Sequence, residues 1–251
     1  MTALKRQNSY QNLAFTLLEL LAVIVILGVL ISLLVPEAAK FRKTALSAAC
    51  VSNLKTATAA MRLYIAEGSN LSQFKKTNEI YSFLGGSWPG DDTWSAMLVA
   101  GGYISDRRVL RCPAGAALTS ITDPRWFYET YGLNMVTQPG LSVGEVVSNG
   151  GFSGGVFHLN ASIVERPSRL ILLADSRAPQ VDKNGKPTQR FRLLMSASPT
   201  DAMDLRHNGR ANASFLDGHV SALDPMAIVE LKDKPYVFVP YYDKNGVYVK
   251  E

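Results

Sequence analysis

Cysteine is scarce in this chain, with two among 251 residues, too few for a disulfide scaffold or a four-thiolate metal site. Histidine is nearly as rare: His158, His207 and His219 are the whole supply. Gly144-Glu145 and Ser153-Gly-Gly match no nucleophile elbow, phosphate loop or paired-carboxylate arrangement, so no enzymatic activity is expected. The 19 glycines and 12 prolines give no collagen-like or low-complexity bias. Basic residues outnumber acidic ones, 26 to 21, for a formal charge of +5. No basic run exceeds two residues and no nucleic-acid motif accompanies them, so nucleic acid is not an expected partner. A hydrophobic share of 47% against 19% charged excludes wholesale disorder, and the length fits one large domain or one domain plus an appendage.

What is present is concentrated at the front. Leu20 to Val35 is sixteen residues without a charge, and Phe15 to Val35 is twenty-one with Glu19 as the single carboxylate. A helix of that length spans about 31 Å, close to a bilayer's hydrocarbon thickness. Lys5 and Arg6 precede it, which favours a cytoplasmic N-terminus and an exported remainder. A cleaved secretory signal would end in a small-x-small site, whereas this run ends in Val35-Pro36-Glu37 and helical patterning continues. A plain anchor explains the run but not Glu19, unless that acid sits at the interface, because an intramembrane carboxylate is expensive.

The string Ala14-Phe15-Thr16-Leu17-Leu18-Glu19-Leu20 resembles the signal of type IV prepilins and type II secretion pseudopilins. The resemblance implies cleavage by a prepilin peptidase between Ala14 and Phe15, with N-methylation of the new Phe15 amine. Ala14 stands where the family usually has glycine, so a small residue is kept. Glu19 falls where the family carries its glutamate, and Pro36 where many members carry a helix-loosening proline. A free α-ammonium in the membrane needs a carboxylate, which Glu19 can supply to its own or a neighbouring chain.

Beyond Pro36 the apolar stripe Phe41, Ala45, Ala48, Val51, Leu54, Thr58, Met61 and Ile65 recurs at spacings of three and four. Frequent alanines favour the helix, and Gly68-Ser69-Asn70 ends it. One helix from about Phe15 to Glu67 is expected, apolar all round in its first half and amphipathic in its second. The rest reads as a short helix at Trp94–Ala100 and strands at 169–175, 190–195, 211–216 and 219–223. A last hairpin should pair Tyr236–Val239 with Val247–Val249 around Asp243–Gly246. Asn-Gly and Asp-Gly steps at 208–209, 217–218 and 245–246 suit tight turns. The expected fold is α+β, a long N-terminal helix packed on an antiparallel sheet. Its divisions are a leader at 1–14, a transmembrane or filament-core helix at 15–36, its amphipathic continuation at 37–67, and a head at 68–251.

Within the head, nine residues separate His207 from Asp217-Gly218. That segment, 207–218, resembles the H-x9-DG signature of pilin-like proteins. Cys50-Val-Ser-Asn53-Leu54-Lys55, Leu110-Arg-Cys112-Pro113, Tyr131-Gly132-Leu-Asn134 and Leu173-Ala174-Asp175 agree with it, so the resemblance covers nearly the whole chain. His207, Asp217 and His219 are capable metal ligands. Asp217 and His219 flank Gly218 in a tight turn, however, where Asp caps its own backbone. Structural hydrogen bonding is therefore the expected role, and no cofactor is expected. The acids Asp217, Asp224 and Asp243 are too scattered for the calcium loop of some pseudopilins.

Cys50 and Cys112 have two open readings. In an oxidising compartment a disulfide would close a loop of about sixty residues, contributing roughly 4 kcal/mol. Otherwise they are two small buried side chains. The functional expectation is a structural subunit of a type II secretion-like or type IV pilus-like filament. Its partners would be prepilin peptidase, the assembly platform, the membrane, and copies of itself or other pseudopilins. It would start as a single-pass protein of the bacterial inner membrane, with a cytoplasmic leader and an extracytoplasmic head. The competing expectation is a monomeric membrane-anchored protein that binds a ligand or metal outside the cytoplasm.

Overall fold

A computed structural model describes residues 17–68, 93–134, 164, 166–193, 201–231 and 241–249. The chain divides after Arg42 into two compact units. Helix α1, Leu17–Gly68, begins in the first and ends in the second. The leader, Ala14 and Phe15 lie outside the described residues.

In the first unit, α1 is apolar on every side from Leu20 to Val35. Its large side chains stay open, from Val23 at 47% exposed to Leu17 at 84%. By length and composition this helix can cross a membrane. Pro36 lies inside it and removes the amide that would otherwise donate to the Ser32 carbonyl. Ser32 turns its own hydroxyl back on the Val29 carbonyl at 2.7 Å.

In the second unit, α1 buries Cys50, Leu54, Ala57, Thr58, Ala60 and Met61. The burial matches the later part of the expected stripe. Its earlier members, Phe41, Ala45 and Ala48, are exposed, because nothing among the described residues covers that face. Helix α2, Trp94–Ala100, is capped by Thr93, whose hydroxyl accepts from the Ala96 amide at 3.2 Å. Asp106 and Asp123 cap single 3₁₀ turns at Arg107–Leu110 and Pro124–Tyr128 in the same way.

The strands are β1 Gly132–Asn134, β2 Ile171–Ala174, β3 Ser176–Arg177, β4 Arg192–Leu193, β5 Ala202–Asp204, β6 Ala211–Phe215, β7 Val220–Leu223, β8 Tyr241–Tyr242 and β9 Tyr248–Val249. Helix α3, Pro225–Glu230, follows β7. Among them they form a five-stranded sheet ordered β4-β1-β2-β6-β7 and a four-stranded sheet ordered β3-β5-β8-β9. The fold is α+β, with two sheets in place of the one expected. Each is mixed: β1 runs parallel to β4, and β5 to β8. The closing hairpin has the expected turn at 243–246, but its first strand is Tyr241–Tyr242. The Asp243 carboxylate accepts from the amides of Asn245 and Val247 at 2.9 and 2.8 Å, which fixes the turn and hence the pairing beside it. Tyr236–Val239 lie outside the described residues.

The five-stranded sheet carries core on both faces. On β6, Ala211, Ala213 and Phe215 join Ile171, Leu193, Leu223 and Ile228 on one side. Asn212 and Ser214 turn toward α1, where the Thr58 hydroxyl donates to Ser214 Oγ at 2.6 Å. The alternation is that of a half-buried strand, yet all five residues are buried, because the polar face meets the helix instead of water. On β2 the register shifts between Ile171 and Leu173. The shift lets adjacent Leu172 and Leu173 both join the core around Leu54, Met61, Trp94 and Tyr131.

Candidate functional site

Four side chains of three chemical kinds meet in the interior of the second unit. Cys50 comes from α1, and Cys112 from the loop after the first 3₁₀ turn. Asp175 stands between β2 and β3, where the chain passes from one sheet to the other. His207 stands between β5 and β6, where it passes back. Their ligand atoms, Sγ, Sγ, carboxylate O and imidazole N, all lie within 4.8 Å of one another. Cys50, Cys112 and Asp175 are 0% exposed and His207 is 9%.

Local structure holds each one in place. The Gln189 carboxamide clasps the Cys112 residue at both ends: its Oε1 accepts from the Cys112 amide and its Nε2 donates to the Cys112 carbonyl, each at 3.0 Å. Tyr131 donates its hydroxyl to the Cys50 carbonyl at 3.2 Å, with Cys50 Sγ at 3.4 Å. Asp175 exchanges backbone bonds with both sheets, donating to the Asn212 carbonyl and accepting from the Asp204 amide. Its carboxylate also accepts from the Asn212 amide at 2.9 Å. His207 opens a two-residue hairpin turn closed by mutual bonds with Arg210. Asn208 and Gly209 hold φ of 56° and 81°, the pair of left-handed residues such a turn requires.

Within the group, Cys50 Sγ lies 3.4 and 3.6 Å from the two Asp175 oxygens. His207 Nε2 lies 3.2 Å from Cys112 Sγ and also 3.2 Å from Asp175 Oδ2. Burial by itself raises the Cys112 pKa, but the Cys50 thiol, His207 and the Arg206 charge outweigh it and hold Cys112 at about 7. Burial works against the His207 imidazolium, while Asp175 and Cys112 lift that group to about 9. The Cys50 thiol is pushed up by burial and by its bond to Cys112. Asp175, despite burial, is lowered by His207 and Arg206.

A thiolate beside an imidazolium can serve a cysteine nucleophile. In that arrangement the orienting acid holds the ring nitrogen opposite the sulfur. Here sulfur and carboxylate approach the same nitrogen. The thiols are also closed to solvent. Convergence of two sulfurs, a nitrogen and an oxygen on one point is what a metal ion uses.

No protein-family model matches this chain, and neither a curated protein nor a solved structure matches it significantly.

Of the residues singled out in the sequence, Glu19 lies in the first turn of α1 and Pro36 inside that helix. Cys50 and Cys112 are buried free thiols, side by side. Among the three candidate metal ligands, His207 enters the buried group and the other two do not. Asp217 and His219 pair with each other at 2.6 Å on the exposed turn between β6 and β7. Asp217 Oδ1 also accepts from the His219 amide at 3.1 Å, the capping role expected for it. Asp175 was missed as a ligand. The available signal was that four of the short segments carrying the resemblance each hold one member of the group: Cys50, Cys112, Asp175 and His207.

Proposed function

We propose that this chain is a membrane-inserted structural subunit of a pilin-like filament, of the type II secretion pseudopilus or type IV pilus kind. The observation that carries the reading is α1: all-round apolar and uncovered from Leu20 to Val35, then packed into a β-sheet head from Cys50 onward. An uncovered apolar helix of this length is stable in lipid or among other copies of itself, not in water. The exposed Phe41, Ala45 and Ala48 continue that uncovered face. Glu19 is the one acid between Leu17 and Pro36, placed to neutralise an α-amine created at Phe15. On this reading the chain is the substrate of prepilin peptidase and catalyses nothing itself. It begins in the inner membrane with its head outside the cytoplasm, and contacts the assembly platform and other subunits.

The test is the N-terminus of the protein recovered from membranes of cells that carry a prepilin peptidase. Mass spectrometry is expected to find N-methylated Phe15 as the first residue. A chain that keeps Met1 or Thr2, with no oligomer recoverable by crosslinking, would leave the anchored monomer as the better description.

A further inference from the structure

We infer that Cys50, Cys112, Asp175 and His207 bind one zinc ion in a closed tetrahedral site that ties α1 and the two sheets together. The inference is independent of filament assembly, since every ligand lies in the second unit.

Geometry is the first support. A tetrahedral zinc with sulfur at about 2.3 Å, and nitrogen and oxygen at about 2.0–2.2 Å, sets its ligand atoms about 3.4–3.8 Å apart. The sulfur–oxygen separations for Cys50 and Asp175 are 3.4 and 3.6 Å. The sulfur–nitrogen and nitrogen–oxygen separations around His207 are both 3.2 Å. These three pairs stand at nearly the spacing that coordination asks for, and all four ligand atoms lie within 4.8 Å of one another.

The hydrogen-bond inventory is the second. His207 Nε2 has either one proton or one lone pair. With a proton it can serve Asp175 or Cys112 fully, but not both. Without one it sets a lone pair against the buried Asp175 carboxylate. A cation at the centre satisfies both sulfurs, the nitrogen and the carboxylate together.

Charge is the third. Two thiolates, one carboxylate and a neutral imidazole around a divalent zinc carry one net negative charge. Arg206 precedes His207, and its positive charge acts on both Cys112 and Asp175. Its Nη2 donates to Asp204 at 2.9 Å and to the Ser176 carbonyl. Its Nε and Nη1 are buried without a partner among the described residues. A buried guanidinium with spare donors suits an anionic metal cluster.

The donor set names the metal. Thiolate and imidazole exclude calcium and magnesium, which take oxygen ligands, and the mixed sulfur, nitrogen and oxygen tetrahedron suits zinc. Four protein ligands leave no open position, so the ion is structural. On binding, the protons held by the sulfurs and by Nε2 pass to water, and no redox step occurs.

The test uses the full chain, purified in detergent from zinc-supplemented cells without chelator. Elemental analysis is expected to give one zinc per chain. Cys112→Ser and His207→Ala should each lose it, while Asp217→Asn retains it. Because either ligand variant could fail to fold, the unaltered chain is also stripped and loaded with cobalt. Visible bands of tetrahedral cobalt and sulfur-to-cobalt charge-transfer absorption are expected. One zinc per chain, or that cobalt spectrum from a chain isolated empty, upholds the site. Zinc retained by both ligand variants would mark an adventitious ion. That result, absence of both metals after loading, or a Cys50–Cys112 disulfide in the isolated chain would overturn it.

Discussion

His207 Nε2 lies 3.2 Å from Asp175 Oδ2, though 32 positions separate the two residues in the chain. Each occupies a crossing between the sheets, one outward and one returning. Their contact pins the sheets to each other at the point where Cys50 brings α1 in. Asp175 is the more deeply committed partner: its amide, carbonyl and carboxylate are all engaged with β5, β6 or their flanking residues.

Asp175→Asn keeps the shape and removes the charge. The buried His207 and Arg206 then lose the acid that balances them. Breaking a buried ion pair by removing one partner costs about 3–5 kcal/mol. Denaturant unfolding of the full chain in detergent, stripped of metal, is expected to show a loss of that size. A change below about 1 kcal/mol, the worth of an exposed pair, would mean the carboxylate is not a centre of the packing.

The turn that aims His207 is a separate target. Gly209 holds φ of 81°, and its absent Cβ would meet nothing nearer than Lys244 Cβ at 3.9 Å. The cost of Gly209→Ala is therefore conformational, about 1–2 kcal/mol for a left-handed non-glycine residue. Metal retention should weaken as well, because the turn sets the imidazole. Gly185 has a similar φ of 75° with open space around it, and it lies outside the turn that carries His207. Gly185→Ala is expected to cost a similar amount of stability and leave metal retention unchanged.

Gly115 works by close approach instead. A Cβ there would lie 2.3 Å from both Arg206 Nη1 and Gln189 Nε2. Gln189 cannot swing aside without releasing the Cys112 peptide it holds at both ends. Gly115→Ala is expected to destabilise by about 1–3 kcal/mol, the usual cost of overpacking. In the cobalt-loaded chain the charge-transfer band should shift as Cys112 moves.

How much of this was legible beforehand follows the range of the interactions. The long helix, α2 and the turns at 208–209, 217–218 and 245–246 rest on contacts within a few residues, and periodicity or an Asn-Gly step reveals them. Strands β6 and β7 are legible for the same reason, joined by a tight turn. The buried quartet is not, because 50, 112, 175 and 207 meet only through the complete fold. Asp175 was hidden at the end of an apolar run, Arg169–Asp175, that reads as unbroken strand. The strand in fact stops at Ala174, and the acid marks the crossing to the second sheet. β1 and β5 are three residues each, too short to show a period. The stripe from Phe41 to Ala48 is real as a pattern, but no described residue covers it.

The seam between α1 and β6 carries a polar contact that can be weighed. The Thr58 hydroxyl donates to Ser214 Oγ at 2.6 Å in a buried setting. Ser214 keeps the Leu173 carbonyl at 3.3 Å as a second partner. Thr58→Val therefore costs about 1 kcal/mol, the net worth of one hydrogen bond, and not the penalty of an orphaned hydroxyl. Thr56 is exposed, and its hydroxyl bonds the Ser52 carbonyl of its own helix. Thr56→Val is expected to change stability by less than about 0.5 kcal/mol. Equal effects at the two positions in chemical denaturation would show that the seam is not where the helix is held.

Glu19 bears on a different link, from sequence to assembly. It sits in the first turn of α1, ahead of sixteen residues without charge. A carboxylate near the end of such a helix is costly in lipid unless a cation answers it. On the proposed reading, an amine released at Phe15 would be that cation, supplied by the same chain or by a neighbouring subunit. Glu19→Ala removes an expensive group, so membrane insertion should be unimpaired. Incorporation into filaments should fall by at least tenfold, which is the loss of about 1.4 kcal/mol of docking free energy. Quantifying subunits in membranes and in sheared filaments separates the two steps. Normal filament yield from Glu19→Ala would assign the acid to the interface and return the helix to a simple anchor.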